Sequence, residues 1–344
     1  MKSTGYYGKK YLAIEARERE VPPAQGRRVV VKVMACGICG TDINFVRDWA
    51  GDPMALGHEI AAEVVEADSG VTDLRPGDRV IVEDCTMCGT CDSCKSGRPD
   101  LCRSMYSIEG QPGMGRFMSV PRNSLVKFEA LDFASACLTE PLAVSLTSVL
   151  NAEIPLGGSV LVLGNGPLGL MSGLVARLRG AGFVAITGHG AGTRLRAARM
   201  AAAEKAGFDA VIDSSRENAV EQVHALFPAG VDRVIVSSPP QSLPEALAAV
   251  RFGGRITFYG LHLGGKNVVP IDVNDLVFRK ITLVPTFAEP AINFPLALRL
   301  LRDGRINASA IVTHRVPFEE TPAALTGIVE GTLPAVKAVV LPNG

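Results

Sequence analysis

At 344 residues the chain is too long for one ordinary hydrophobic core, so two domains are expected. Apolar residues make up 47% and charged residues 20%, the balance of a globular protein, and 35 basic side chains match 35 acidic ones. That neutrality argues against nucleic acid or an anionic membrane as partner.

The first twenty residues, MKSTGYYGKKYLAIEARERE, show no apolar core and no small-residue cleavage site. A cytoplasmic setting with reduced thiols is therefore expected. Next come VVVKVMA, EIAAEVVEA and DRVIVED, three strand-like runs, with the turn RPGD between the last two. Between the first two lie CGICGTDIN (36–44) and LGHEI (56–60). There Cys39, His58 and Glu59 offer a thiolate, an imidazole and a carboxylate. Alone, a core cysteine and a surface His-Glu pair would be the better explanation.

The segment DCTMCGTCDSCKSGRPDLC (84–102) holds five of the eight cysteines. Reducing conditions and a large chain speak against disulfides. Cys88, Cys91 and Cys94 stand three apart, and Cys102 follows after eight more. Three thiolates on successive tight turns and a fourth from a returning loop surround one tetrahedral Zn²⁺ at about 2.3 Å. An iron–sulfur cluster also takes four thiolates, but ligand number and spacing favour structural zinc. Such a site is closed to water and substrate, and Cys85 is left as a spare thiol.

Residues 154–176 form an uncharged run long enough for a membrane span, but glycines and prolines break it, and strand–turn–helix describes it better. No membrane contact is expected. Gly164, Gly166 and Gly169 form GxGxxG after the apolar run SVLVL, with Pro167 and Leu168 opening the helix. The first glycine permits the turn, the second lets a pyrophosphate approach the backbone, and the third brings helix against strand. The pyrophosphate would rest on the helix N-terminus. FVAIT, AVID, DRVIVSS and GGRITFYGL continue the pattern of a doubly wound parallel sheet. NAD-binding sheets place an acid about 20 residues after the turn. Here 185–196 reads AITGHGAGTRLR, with no acid. Thr187, Gly188 and His189 occupy the expected place, and Arg194 follows as a cation for a 2′-phosphate or simply a solvated helix residue. NADP(H) is expected to be preferred over NAD(H). The tail HRVPFEETPAALTGIVEG and AVKAVVLP reads as loop, helix and closing strand.

CGICGTD, GHE, CGTCDSCKSGRPDLC, TEPLAV (139–144) and GNGPLG, in this order, resemble the zinc-dependent medium-chain dehydrogenases, the alcohol, sorbitol and threonine dehydrogenase family. The resemblance implies an α/β, two-domain fold: a GroES-like β-rich catalytic domain (1–147), a Rossmann doubly wound parallel sheet (148–287), and a C-terminal return to the catalytic domain (288–344). It further implies that Cys39, His58 and Glu59 hold a catalytic zinc, the second of two ions per chain, with Glu140 as the fourth group of the sorbitol dehydrogenase branch. Asp42 would orient the imidazole, and Thr41 would take the substrate proton.

One thiolate and one carboxylate already neutralise Zn²⁺, so Glu140 is expected to act through water or to exchange with Glu59. Asn44 stands where many relatives carry a proton-passing histidine, and asparagine cannot titrate. The implied reaction interconverts a secondary alcohol and a ketone, with a polyol, sugar, cyclitol or aminocyclitol as small-molecule substrate meeting the nicotinamide in the interdomain cleft. Arg47, Asp48 and Trp49 line the pocket or form a solvated rim, and His262 is more in keeping with a structural role. RKITLVPTF would be an edge strand of a homodimer or homotetramer. The rival readings are a non-catalytic zinc- and NADP-binding redox sensor, and a lyase or epimerase working through a transient ketone.

Overall fold

The structure, a computed structural model, describes residues 1–108, 110–265 and 267–344. The chain divides into two compact units, one made of 1–143, 288–330 and 337–344, the other of 144–287 and 331–336.

The first unit is organised around the strand Arg28–Gly37, whose β-branched run RVVVKV favours extended backbone. Strand Glu59–Ala67 pairs antiparallel along one side, with Glu59 opposite Gly37. Strand Lys337–Leu341 lies along the other, with Val339 opposite Gly37. Arg79–Val82 and Leu125–Lys127 extend the sheet beyond Glu59–Ala67, and Phe117–Pro121 pairs with the first half of Arg28–Gly37. Val29, Val31, Val33, Ile60, Ile81 and Val339 are fully buried. Each contributes about 1.5–3 kcal/mol by leaving water.

The tail departs from its sequence reading. Val312–Pro317, expected as loop, is a strand lying parallel on Lys337–Leu341. Apart from the buried Val316 its residues are partly or fully exposed, and His314 and Arg315 give it a polar appearance. Helix Thr321–Val329 and the closing strand follow as expected.

In the second unit six parallel strands run in the order third, second, first, fourth, fifth, sixth. They are Ser159–Leu163, Phe183–Gly188, Ala210–Asp213, Val231–Val236, Val250–Phe258 and Thr282–Pro285. This is the strand order of dinucleotide-binding sheets, and their ligand crevice lies between the first and fourth strands, where the order reverses. The uncharged run 154–176 resolves into the first strand, a turn, and helix Pro167–Leu178, too short to span a bilayer. The stretch Phe133–Asn151 is long and apolar enough for a span, but 72% of its apolar window is buried inside the protein, as in a core helix.

Candidate active site

Cys39 leaves the end of strand Arg28–Gly37 and caps the short helix Gly40–Asn44. Its Sγ accepts from Thr41 N at 3.5 Å, and its own N–H donates to Asp42 Oδ2 at 3.0 Å. Asp42 Oδ1 accepts from Gly57 N at 2.8 Å. The buried Asp42 thus ties together the two backbones that carry Cys39 and His58. The resemblance implied that it orients the imidazole; its oxygens here accept from two backbone amides, and its charge raises the pKa of His58.

Ligand atoms of Cys39, His58 and Glu59 lie within 4.8 Å of one another. Burial opposes charge on His58, but the Cys39 sulfur beside it, with Asp42 and Glu140, raises its pKa well above the usual histidine range. Glu59, 1% exposed, forms an ion pair through Oε1 with Lys337, itself 3% exposed. Glu59 Oε2 is buried and has no hydrogen-bond partner. A buried carboxylate oxygen is normally satisfied. Its orphan state, beside a thiol and an imidazole, fits a zinc ion bound by these three residues.

Glu140 opens helix Thr139–Asn151 and is buried. Burial raises its pKa well above the carboxylate range; His58 opposes this, while Asp84, Glu59 and Cys39 add to it. It lies outside the compact three-residue set. Thr41 and Asn44 are half-buried on the same short helix. Arg47 and Asp48, in the following turn, are exposed and paired at 3.5 Å.

The cysteine ladder closes on itself. Sulfur–sulfur distances are 3.5 Å for Cys91–Cys94 and Cys88–Cys102, 3.8 Å for Cys91–Cys102, and 4.0 Å for Cys88–Cys94. A tetrahedral ion with bonds of about 2.3 Å requires sulfurs roughly 3.8 Å apart. The space suits one ion, and a multi-iron cluster would splay the thiols further. Amides of Thr90 and Cys91 donate to Cys88 Sγ and pull its pKa down to about 5, whereas burial and the neighbouring thiol of Cys91 push Cys94 up to about 12. Four thiolates so close need a cation to ionise together. Cys85 is not among them. Half-buried, it joins Asp84 and Glu289 in a separate group within 4.8 Å.

In the second unit Gly164 has φ +107°, closed to most side chains. A Cβ on Gly169 would overlap the Gly164 carbonyl oxygen, so helix and strand meet there only as glycine. A Cβ on Gly166 would meet nothing nearer than Arg199 Nη1 at 3.9 Å, leaving room for a ligand. Pro167 and Leu168 form the helix's first turn. Thr187 is buried, and its hydroxyl accepts from Gly164 N at 3.3 Å, bracing the turn. Gly188 ends the second strand, while His189 and Arg194 are exposed.

Two residues near this turn escaped the motif reading. Arg199 Nε is buried without a hydrogen-bond partner, and burial lowers the residue's pKa. Asp213, ending the third strand, accepts from Gly190 N at 2.9 Å and from Ser215, which draws its pKa down to about 2. Its charge therefore fastens the 188–192 loop. Neither belongs to a short motif; a mid-helix arginine reads as surface until the helix is placed.

The sequence also matches known families. Residues 25–130 match the alcohol dehydrogenase GroES-like domain, and 167–303 match the zinc-binding dehydrogenase domain. The sorbitol dehydrogenase of Bacillus subtilis is 30% identical over 335 residues, covering 94% of this chain and 92% of that one. The chain belongs to the zinc-dependent medium-chain dehydrogenase family. As such it is an enzyme of the alcohol and polyol dehydrogenase class, with a small-molecule substrate. An L-threonine 3-dehydrogenase of Pyrococcus horikoshii is 33% identical over 314 residues, covering 88% of this chain and 87% of that one. Among solved structures, a zinc-binding dehydrogenase from Sinorhizobium meliloti bound to NADP superposes with a TM-score of 0.84 at 29% identity, covering 99% of this chain and all of that one.

Proposed function

We propose that this dehydrogenase interconverts a secondary alcohol and its ketone with NADP(H), using one zinc at Cys39, His58 and Glu59 and a second, structural one at Cys88, Cys91, Cys94 and Cys102. The orphaned Glu59 oxygen beside a thiol and an imidazole is the observation that carries the reading. Zinc bound there would supply Lewis acidity to the substrate oxygen, and a bound nicotinamide would supply the hydride chemistry.

The chain's own groups do the remaining work. Thr41 receives the substrate proton through its hydroxyl. Asp42 holds the Cys39 and His58 backbones in register. Glu140, whose pKa burial raises, stands outside the three-residue set and would act through water or exchange with Glu59. Asn44 does not titrate, so the proton leaves through ordered water or another group.

The preference for NADP(H) is supported by the missing acid after the second strand and by the cations Arg194 and Arg199, with His189 exposed just after that strand. Relatives named for sorbitol, L-arabinitol and L-threonine favour a polyol, sugar, cyclitol or aminocyclitol substrate. One purification tests the reading: zinc per chain, then NADPH and NADH turnover on such a panel, for wild type and Cys39→Ser. Two zinc ions, faster NADPH turnover, and loss of one ion with all activity in the variant are expected. A single ion, or activity surviving Cys39→Ser, would sink it.

A further inference from the structure

Glu59 and Lys337 flank the same glycine from opposite sides. Strand Glu59–Ala67 sets Glu59 opposite Gly37 on one edge of Arg28–Gly37, and strand Lys337–Leu341 runs along the other. Only because position 37 has no side chain can Glu59 cross the central strand: a Cβ there would overlap Glu59 Oε2 and stand 3.1 Å from Lys337 Cε. Lys337 Nζ is anchored a second time by the Ile38 carbonyl at 2.9 Å, one residue before Cys39. With exposures of 3% and 1%, neither partner has water to replace the other.

We infer that Lys337 is a positioning residue for the candidate metal centre, holding one oxygen of Glu59 so that the carboxylate commits only partly to the metal. The inference rests on the reading that Cys39, His58 and Glu59 bind zinc. Thiolate and carboxylate together cancel the charge of a divalent ion, and a deprotonated substrate would then carry the buried site to minus one. The fixed ammonium offsets that charge, and by drawing charge from Glu59 it keeps the site electron-poor. Without it, Glu59 is free to turn both oxygens inward, giving a more tightly held and less electrophilic ion.

The test measures zinc release to a chelator alongside steady-state kinetics. In wild type, a fast phase is assigned to the open Cys39 site by its absence in Cys39→Ser, and a slow phase to the four-thiolate site. Lys337→Met is expected to slow the fast phase about tenfold and lower kcat by a similar factor with little change in KM. Lys337→Gln, which keeps a hydrogen bond but not the charge, should behave likewise, and Lys337→Arg should recover most of both losses. Retention of the slow-phase zinc reports folding, and if Lys337→Met loses it, the Gln and Arg pair decides. Fast-phase release that is unchanged or quicker in Lys337→Gln, with the slow-phase zinc retained, overturns the inference. No Cys39-dependent phase in wild type would instead overturn the metal-site reading beneath it.

Discussion

Replacing Gly37 by alanine blocks the passage through which Glu59 reaches Lys337. Gly37 does not have a positive φ, so its backbone accepts alanine. At such a position glycine-to-alanine normally stabilises by about 0.4–1 kcal/mol through the unfolded chain. Here the added methyl would overlap Glu59 Oε2 and sit 3.0 Å from Glu59 Cδ and 3.1 Å from Lys337 Cε. The carboxylate must swing away and leave a buried ammonium bonded only to the Ile38 carbonyl. Breaking a buried pair costs on the order of 3–5 kcal/mol, so the expected net loss is about 2–4 kcal/mol. Urea unfolding monitored by circular dichroism, with zinc per chain and kcat on the same preparation, measures it. The Cys39-dependent zinc and the activity should fall together while the four-thiolate zinc stays. A Gly37→Ala protein as stable as wild type, with both ions and full turnover, would refute this account of how Glu59 is placed.

Cys102→Ser should lose one zinc per chain and loosen the 85–107 lobe to proteolysis, whereas Cys85→Ser should keep both ions; elemental analysis of the two variants checks this. Arg199→Ala should weaken NADPH binding roughly 10- to 100-fold, the loss of one charge-assisted contact, with a smaller effect on kcat. Equal KM values for NADPH in variant and wild type would remove Arg199 from the cofactor site. Glu83 is buried, which raises its pKa to about 7 against an ordinary 4.5. The raised folded-state value means stability is full below pH 4.5 and lost as pH climbs through 7, by about 3 kcal/mol at about 1.4 kcal/mol per unit. Glu83→Gln should therefore flatten the decline in the urea midpoint between pH 5 and pH 8, and an unchanged decline would count against it.

The parts legible in the sequence are those written locally. The four-thiolate site lies within 88–102, and the glycine turn with its flanking strand and helix lies within 159–178, so spacing alone captures them. The central strands of both sheets follow from apolar runs bounded by turn residues, whereas the polar Val312–Pro317 does not. Lys337 is different. Its partner lies 278 residues away, and a lysine within AVKAVVLP reads as the solvent-facing member of an edge strand. Only the register of two neighbours across Gly37 shows that it is buried. Asp42 shows the same limit: its sequence position fits a carboxylate near a metal histidine, but which donors reach it depends on the loop at Gly57. Asp213 meets the 188–192 loop, and Arg199 the glycine turn, only once the third strand and helix Arg194–Lys205 are packed.

The two cysteine-containing sites differ in how their negative charge is balanced, and that difference explains why one is suited to scaffolding and the other to chemistry. In the ladder, Thr90 and Cys91 amides donate to Cys88 Sγ and the Cys88 amide donates to Cys102 Sγ, so local backbone dipoles already support the thiolates. Four sulfurs complete a tetrahedron and leave nothing for an incoming oxygen. At Cys39, among the described residues, one amide reaches the sulfur, at 3.5 Å, and three donors gather. The balancing charge comes from Lys337 on a strand at the far end of the sequence. In the proposed zinc site a distant ammonium rather than a fourth ligand balances the charge, which would keep a coordination position free for a substrate oxygen.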